Sequence, residues 1–415
     1  VSELTVEADA AEIGLDSERL KRVDAFFAGY VSDGRLPGWL LTVRRHGRLA
    51  HVARCGSRDL EAGLPVTDDT VWRIYSMTKP VTSVAAMMLY EEGALALTDP
   101  VSAFIPSFAG VRVYAGGSDL KQVTVPPVEP VRVWHLLTHT AGLTYGFHRV
   151  HPVDALYRAA GFEWGTPPGV ELAQACDLWA GFPLLFQPGT EWNYSVATDV
   201  LGRVVEVASG QRLDEFFADR IFHPLGMRDT AFWAGPAAQP RLAALYRPGP
   251  DGKATRFDAF GRAFLKQPRL LSGGGGLVST AADYDRFTQM LLHRPGSPAG
   301  ELDGVRLLGP RTVGYMARNH LPGGLDLEAF GRPLFAEAPF RGIGFGLGFA
   351  VMIDPVPGKV TGTAGEISWG GAASTAFWID READLTVSFF TQLLPSSTYP
   401  IRPQLRQLVY QALTD

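Results

Sequence analysis

The segment Ser76-Met77-Thr78-Lys79 sets a hydroxyl and an amine three positions apart. On a helix that spacing brings both side chains to one face. A helix N-terminus also offers free N–H groups and a positive dipole end, which favour a developing oxyanion. A lysine held in an apolar site loses solvation of its charged form and can take the serine proton, directly or through a neighbour. Ser-Lys pairs are a recognised form of nucleophile and base, so acyl transfer through Ser76 is the chemistry to expect.

Such a pair works only if the chain around it builds the helix. Residues 81–89 are apolar and helix-compatible, Gly93 is a suitable stop, and Pro80 is tolerated only in a first turn because it has no N–H. These residues put Ser76 at the start of a buried helix. The chain carries its own control in Ser118-Asp119-Leu120-Lys121, which has the same spacing. That copy follows Gly116-Gly117 and runs into QVTVPPVEP, which cannot continue as a buried helix. It is expected to be an exposed loop without function.

Both ends of the chain read as sheet and helix. Leu20, Val23, Phe27 and Tyr30 recur at helical spacing behind the cap Asp16-Ser17, and residues 39–45 and 49–54 are extended runs joined at His46-Gly47. Toward the other end, residues 345–353, 375–379 and 385–391 read as strands, and 401–413 as an amphipathic helix with Leu405, Val409 and Leu413 on one face. Short links imply antiparallel pairing. The fold class expected is α+β: one antiparallel sheet built from both termini, flanked by helices, with a mainly helical inserted domain. The boundaries fall at residues 1–100 with 265–415 for the sheet domain and 101–264 for the insert. Helical stretches are expected at 198–208, 213–221 and 281–292, while residues 272–276 read as a short Gly-rich turn. A cleft between the two domains is where a small-molecule site belongs.

The composition narrows the function classes. The 415 residues are 46% hydrophobic and 20% charged, with a net charge of −5 from 38 basic and 43 acidic side chains. That composition argues against disorder, and the absence of a basic block argues against nucleic acid or an anionic membrane as partner. No apolar run approaches the roughly 18 residues of a spanning helix. The opening VSELTVEADA has no positive n-region or apolar h-region, so no signal peptide is visible and a cytoplasmic location is the default expectation. Cys55 and Cys176 are too few for a disulfide framework and read as buried thiols.

Beyond Ser76, further motifs follow in order. They are His135-Leu-Leu-Thr-His139-Thr-Ala-Gly-Leu143, Gln187-Pro-Gly-Thr190 leading to Tyr194-Ser-Val, residues 221–230, Gly275-Gly-Leu-Val-Ser-Thr280, and residues 362–371 with the strand after them. In this ordered set the sequence resembles the serine β-lactamase and penicillin-binding-protein superfamily in its class C-like branch, over nearly the whole chain. The resemblance implies Ser76 as nucleophile, Lys79 as its partner and Tyr194 as the tyrosine of the second motif, relaying protons. It implies an oxyanion hole from the N–H groups of Ser76 and Ala372, and no metal or other cofactor. Two departures matter. Val196 stands where the family has an asparagine, and Trp369-Gly370-Gly371 stands where it has a basic residue, a threonine and a glycine. Tryptophan cannot attract a substrate carboxylate but offers an apolar wall, and the glycines are expected to let the strand approach the substrate.

A Trp-Gly-Gly third motif with a Tyr-Ser second motif is similar to the family VIII carboxylesterases. The function implied is hydrolysis of carboxylic esters, with short acyl chains, through an acyl-enzyme. Trp369, Gly370, Gly371, Tyr75 and Phe147 are the expected substrate contacts, and a small-molecule ester is the expected partner. The alternatives are a β-lactamase or D-amino-acid peptidase, an acyltransferase to an acceptor other than water, and a catalytically silent binding protein on the same scaffold. His135 and His139 lack an intervening glutamate and read as structural histidines bonded to backbone. Trp179, Phe182, Phe186, Phe340 and Phe345 join Phe147 as candidates for an acyl pocket. Glu191 and Asp199 read as solvated or capping carboxylates.

Overall fold

The computed structural model describes residues 4–163, 167, 169–292, 297–332 and 340–414. Near its start the chain forms helix α1, Ser17–Ser32, whose N-cap Asp16 accepts the Arg19 N–H at 3.0 Å. Strand β1, Gly38–Arg45, then turns through His46 and Gly47, both at positive φ, into β2, Arg48–Asp59. Two consecutive residues at positive φ match the right-handed twist of a tight hairpin. A short β3, Leu64–Pro65, completes this half.

The rest of the sheet comes from the far end of the chain. Its strands are β4, Ile343–Phe345; β5, Ala350–Met352; β6, Ile367–Gly370; β7, Ala376–Asp380; and β8, Leu385–Phe390. The spatial order is β4-β5-β6-β7-β8-β1-β2-β3, with every neighbouring pair antiparallel. Leu40 faces Phe390 and Val43 faces Val387 across the seam where the two ends meet. The sheet is thus built from both termini, as the periodicity implies.

Alternating side chains send the strands into two layers. Trp39, Leu41, Val43, Val387 and Phe389 pack under α1 and under the closing helix Ile401–Tyr410, which supplies Leu405 and Val409. On the opposite face, Leu40, Phe377, Ile379 and Phe390 join a larger apolar body. That body holds the buried helix Thr78–Glu91, here α2, with Ala197–Ser209, here α3, and Ala281–Leu291, here α4.

Three expectations need correction. Residues 345–353 are not one strand: β4 and β5 form a hairpin around Gly346 and Gly348, the latter at φ +100°. A Cβ on Gly348 would come within 2.0 Å of Ser83 Oγ, so the reversal is pressed against α2. The helix expected at 213–221 is α-helical only over Leu213–Phe217 and continues as a π-helical turn, Ala218–Phe222. Pro224 cannot donate to the Arg220 carbonyl and crowds it, which favours a widened turn. Cys176 is buried as expected, whereas Cys55 on β2 is only half-buried. No helix among the described residues is long and apolar enough to cross a membrane.

Candidate active site

The short strand Trp72–Arg73 pairs with Val278–Ser279 and leads into a 3₁₀ turn, Tyr75–Met77, that feeds α2. Ser76 therefore sits on the turn that opens the helix. Tyr75 has φ +43°, a left-handed conformation that costs a non-glycine residue energy and is held by its surroundings. Tyr284 Oη donates to the Met77 carbonyl at 3.0 Å, and the Leu277 N–H donates to Thr78 Oγ1 at 3.1 Å. α4 and the chain just before it thus clamp the Ser76 turn from behind.

Lys79 is fully buried, with its relative exposure at 0%. Its ammonium donates to Ser76 Oγ at 3.3 Å, to Tyr145 Oη at 3.2 Å and to the Gly274 carbonyl at 2.7 Å. The nitrogen also lies 4.4 Å from the ring centroid of Tyr194. The surroundings are therefore not the apolar pocket expected from the sequence. All three donors of Lys79 meet oxygen, and a π face covers the remaining side.

Tyr194 is brought to the site, but it presents its ring to Lys79. Its hydroxyl accepts from the Trp369 indole N–H at 3.4 Å. Its backbone carbonyl accepts from His148 Nε2 at 2.6 Å, which fixes the loop that carries it. Burial pushes the imidazole of His148 down and that of His139 well down, so both are neutral near pH 7. His139 Nδ1 lies 3.2 Å from Ser195 Oγ, so it bonds a side chain and not backbone as expected. His135 Nδ1 accepts the Arg132 N–H at 3.0 Å and behaves as the structural histidine foreseen.

Opposite Ser76 runs the end of β6. Trp369 faces Tyr194 and Phe345, and Ala372 lines the same cavity as Ser76. The two glycines have structural reasons different from the one expected. A Cβ on Gly370 would sit 2.3 Å from Arg402 Nη2, so a guanidinium occupies that side of the strand. A Cβ on Gly371 would sit 2.4 Å from the Ile74 carbonyl and 2.3 Å from Thr375 Oγ1. Gly371 thus lets the end of β6 touch the chain just before Ser76. Arg402 Nη2 donates to the carbonyls of Gly371 and Thr375 at 2.9 and 3.1 Å, pinning the turn that carries Ala372.

Around these groups is a cavity of about 650 Å³. Tyr75, Phe147, Trp369 and Val196 line it, as do Trp179 and Phe340 from the expected acyl-pocket set. Phe147 stacks on Tyr145, with ring centroids 4.7 Å apart. The spare copy of the motif behaves as its context implies: Ser118 and Lys121 are exposed on a hairpin tip, where Ser118 Oγ accepts the Leu120 and Lys121 N–H groups.

Three groups at the site escaped the sequence reading. Tyr145 lies two residues past the histidine motif and is the tyrosine whose hydroxyl meets Lys79. Burial, Asp199 and Tyr194 hold that hydroxyl well above the usual phenol range, so it stays protonated. Residues 272–276 wrap the lysine through the Gly274 carbonyl, which makes them more than a simple turn. Asp199, expected to be solvated or capping, is buried beside them, whereas Glu191 is half-buried and pairs with Arg332.

Fold and site together define a serine hydrolase scaffold of the β-lactamase and transpeptidase type. The Beta-lactamase family model matches residues 23–411, and the chain belongs to that family. It is 38% identical to an uncharacterized protein of Mycobacterium tuberculosis, over 87% of each chain. It is 32% identical to Esterase EstB of Burkholderia gladioli, covering 97% of this chain and 98% of that one. Among solved structures it is similar to EstCE1, described as a hydrolase with promiscuous acyltransferase activity, with a TM-score of 0.78 and 28% identity over 95% of this chain and 98% of that one.

Proposed function

We propose that the protein hydrolyses carboxylic esters through an acyl-enzyme on Ser76. The observation that carries this reading is the fully buried Lys79 Nζ, 3.3 Å from Ser76 Oγ at the wall of an aromatic cavity. Ser76 Oγ attacks the ester carbonyl, and its proton passes to the set formed by Lys79 and Tyr194. The N–H groups of Ser76 and Ala372 receive the oxyanion. Tyr194 protonates the departing alcohol, and water activated by the same set releases the acid. Similarity to an esterase over nearly the full length of both chains supports the choice of ester substrates. Val196 and Trp369, in place of an amide and a cation, argue against β-lactams and peptide C-termini.

A cavity of about 650 Å³ is large for a short acyl group alone. With short acyl chains, the alcohol half of the ester supplies most of the filling volume and is apolar or aromatic. The same apolar room can shelter an alcohol acceptor from water, which favours acyl transfer as a second reading. Similarity to a hydrolase with promiscuous acyltransferase activity agrees with it.

The test is a panel of p-nitrophenyl esters of increasing acyl length beside a chromogenic cephalosporin, with Ser76→Ala as control. Short-ester turnover that disappears in Ser76→Ala is the expected result. Fast cephalosporin turnover with negligible ester cleavage would move the assignment to a β-lactamase. An unchanged ester rate in Ser76→Ala would remove the acyl-enzyme.

A further inference from the structure

Asp199 stands in the first turn of α3, is 4% exposed, and takes part in none of the steps above. Its Oδ1 accepts from the Ser272 hydroxyl and, at 3.0 Å, from the Gly274 N–H. The carbonyl of that same glycine accepts from Lys79 Nζ at 2.7 Å. Gly274 therefore links the carboxylate to the ammonium, one through its N–H and the other through its C=O. No side chain fits between them. A Cβ on Gly274 would lie 2.5 Å from Asp199 Oδ2 and 3.1 Å from Tyr145 Oη. The turn is also tied to α2, because Thr82 Oγ1 donates to the Gly273 carbonyl at 2.7 Å.

A carboxylate is seldom buried unless hydrogen bonds and an opposite charge offset its desolvation. Burial raises the Asp199 carboxyl above its ordinary range, while the charge of Lys79 and the donors from Ser272 and Gly274 act against that rise. Three other titratable groups here are held neutral near pH 7. Tyr145 and, on the helix Leu172–Ala180, Cys176 are pushed well up, and His139, which feels the charge of Lys79, is pushed well down. Tyr194 offers Lys79 its ring. The charge of Lys79 acts on the Asp199 carboxyl across Gly274.

We propose that Asp199 is a positioning residue for proton transfer from Ser76 to Lys79: it fixes the Gly274 carbonyl against the ammonium and balances the charge that Lys79 gains. The inference rests on the reading of Ser76 as nucleophile and Lys79 as its proton acceptor. The step starts from the neutral amine of Lys79: the Ser76 O–H bond breaks, an N–H bond forms on Lys79, and Oγ bonds to the ester carbonyl carbon as the C=O π pair moves onto its oxygen. A neighbouring carboxylate favours the charged lysine and so makes the neutral amine a stronger base.

The experiment measures kcat and KM for p-nitrophenyl butyrate across pH in the natural chain, in Asp199→Asn and in Ser76→Ala. Asparagine keeps an oxygen for Ser272 and Gly274 but removes the charge. With that charge gone, the acidic limb of kcat/KM should move down by about one unit. At pH 7, kcat should fall by at least about tenfold with KM little changed. A shifted limb supports the proposal whatever the size of the kcat loss. An unmoved limb overturns it, whether kcat is retained or falls together with thermal stability. If Asp199→Asn does not fold, Ser272→Ala decides. A loss of about threefold or more in kcat at constant KM supports the positioning role, and wild-type kcat overturns it. Full turnover by Ser76→Ala would instead bring down the acyl-enzyme reading, independently of either variant.

Discussion

The indole N–H of Trp369 donates to the hydroxyl of Tyr194 across 3.4 Å, with the two rings 5.4 Å apart. The tryptophan of the third motif is therefore both an apolar wall and a hydrogen-bond donor to the tyrosine of the second. Trp369→Phe keeps an aromatic wall and loses the donor. It should lower kcat by about three- to tenfold, the worth of one ordinary hydrogen bond, with little change in KM. Trp369→Ala should raise KM as well. Steady-state kinetics on one p-nitrophenyl ester distinguish the two, and an unchanged kcat in Trp369→Phe would show the bond to be idle.

Two tyrosines border Lys79 in different ways, and their removal should cost different amounts. Tyr194→Phe takes away the group assigned to protonate the leaving alcohol, with an expected loss in kcat of about 10²- to 10⁴-fold. Tyr145→Phe removes one of the three oxygens around the ammonium, which lies 3.2 Å from it, and should cost about tenfold. If Tyr145→Phe proves the more damaging of the pair, the proton relay runs through Tyr145 and the assignment must be exchanged.

Acid should weaken the fold through His135. Its Nδ1 accepts the Arg132 N–H, and burial pushes its pKa down to about 4. An unfolded chain binds this proton near pH 6.5, whereas the folded one resists until about pH 4. Folding is therefore favoured above pH 6.5, and that contribution is lost as the pH falls toward 4. The loss amounts to about 3 kcal/mol by linkage. In His135→Gln the amide oxygen can still accept the cap N–H but does not titrate. The drop in Tm between pH 7 and pH 4.5 should be smaller for His135→Gln than for the natural chain, and equal drops would exclude His135 as the cause.

The paired glycines of β6 should differ in tolerance. A methyl group at Gly371 meets the Ile74 backbone carbonyl, which cannot move without disturbing the turn that carries Ser76. At Gly370 it meets the end of the flexible Arg402 side chain. Gly371→Ala should destabilise by about 1–3 kcal/mol and largely abolish turnover, while Gly370→Ala should be milder in both. Urea midpoints and ester turnover measured together would expose the opposite order.

Much of this molecule is legible in its sequence, for identifiable reasons. Helix α1 announces itself by the spacing of Leu20, Val23, Phe27 and Tyr30 behind Asp16, a purely local signal, and the hairpin at His46-Gly47 is equally local. Ser76 and Lys79 are readable because one helical turn joins them. What could not be read depends on contacts distant in sequence. The break between β4 and β5 is set by Ser83 pressing on Gly348. The surroundings of Lys79 come from Tyr145, Gly274 and Asp199, more than 60 residues away. A carboxylate such as Asp199 looks solvated until its partners are known, because burial belongs to the assembled fold and not to the residue.

The seam between β1 and β8 sets Leu40 against Phe390, near opposite ends of the chain. During synthesis the first strands must wait for the last ones to leave the ribosome before the central ladder can zip. Pairings so remote fold slowly and leave an apolar edge uncovered meanwhile. Ser76 is translated long before the β6 wall and Arg402 that complete its surroundings. A nascent chain stalled before β6 would therefore carry Ser76 without the groups that complete its surroundings.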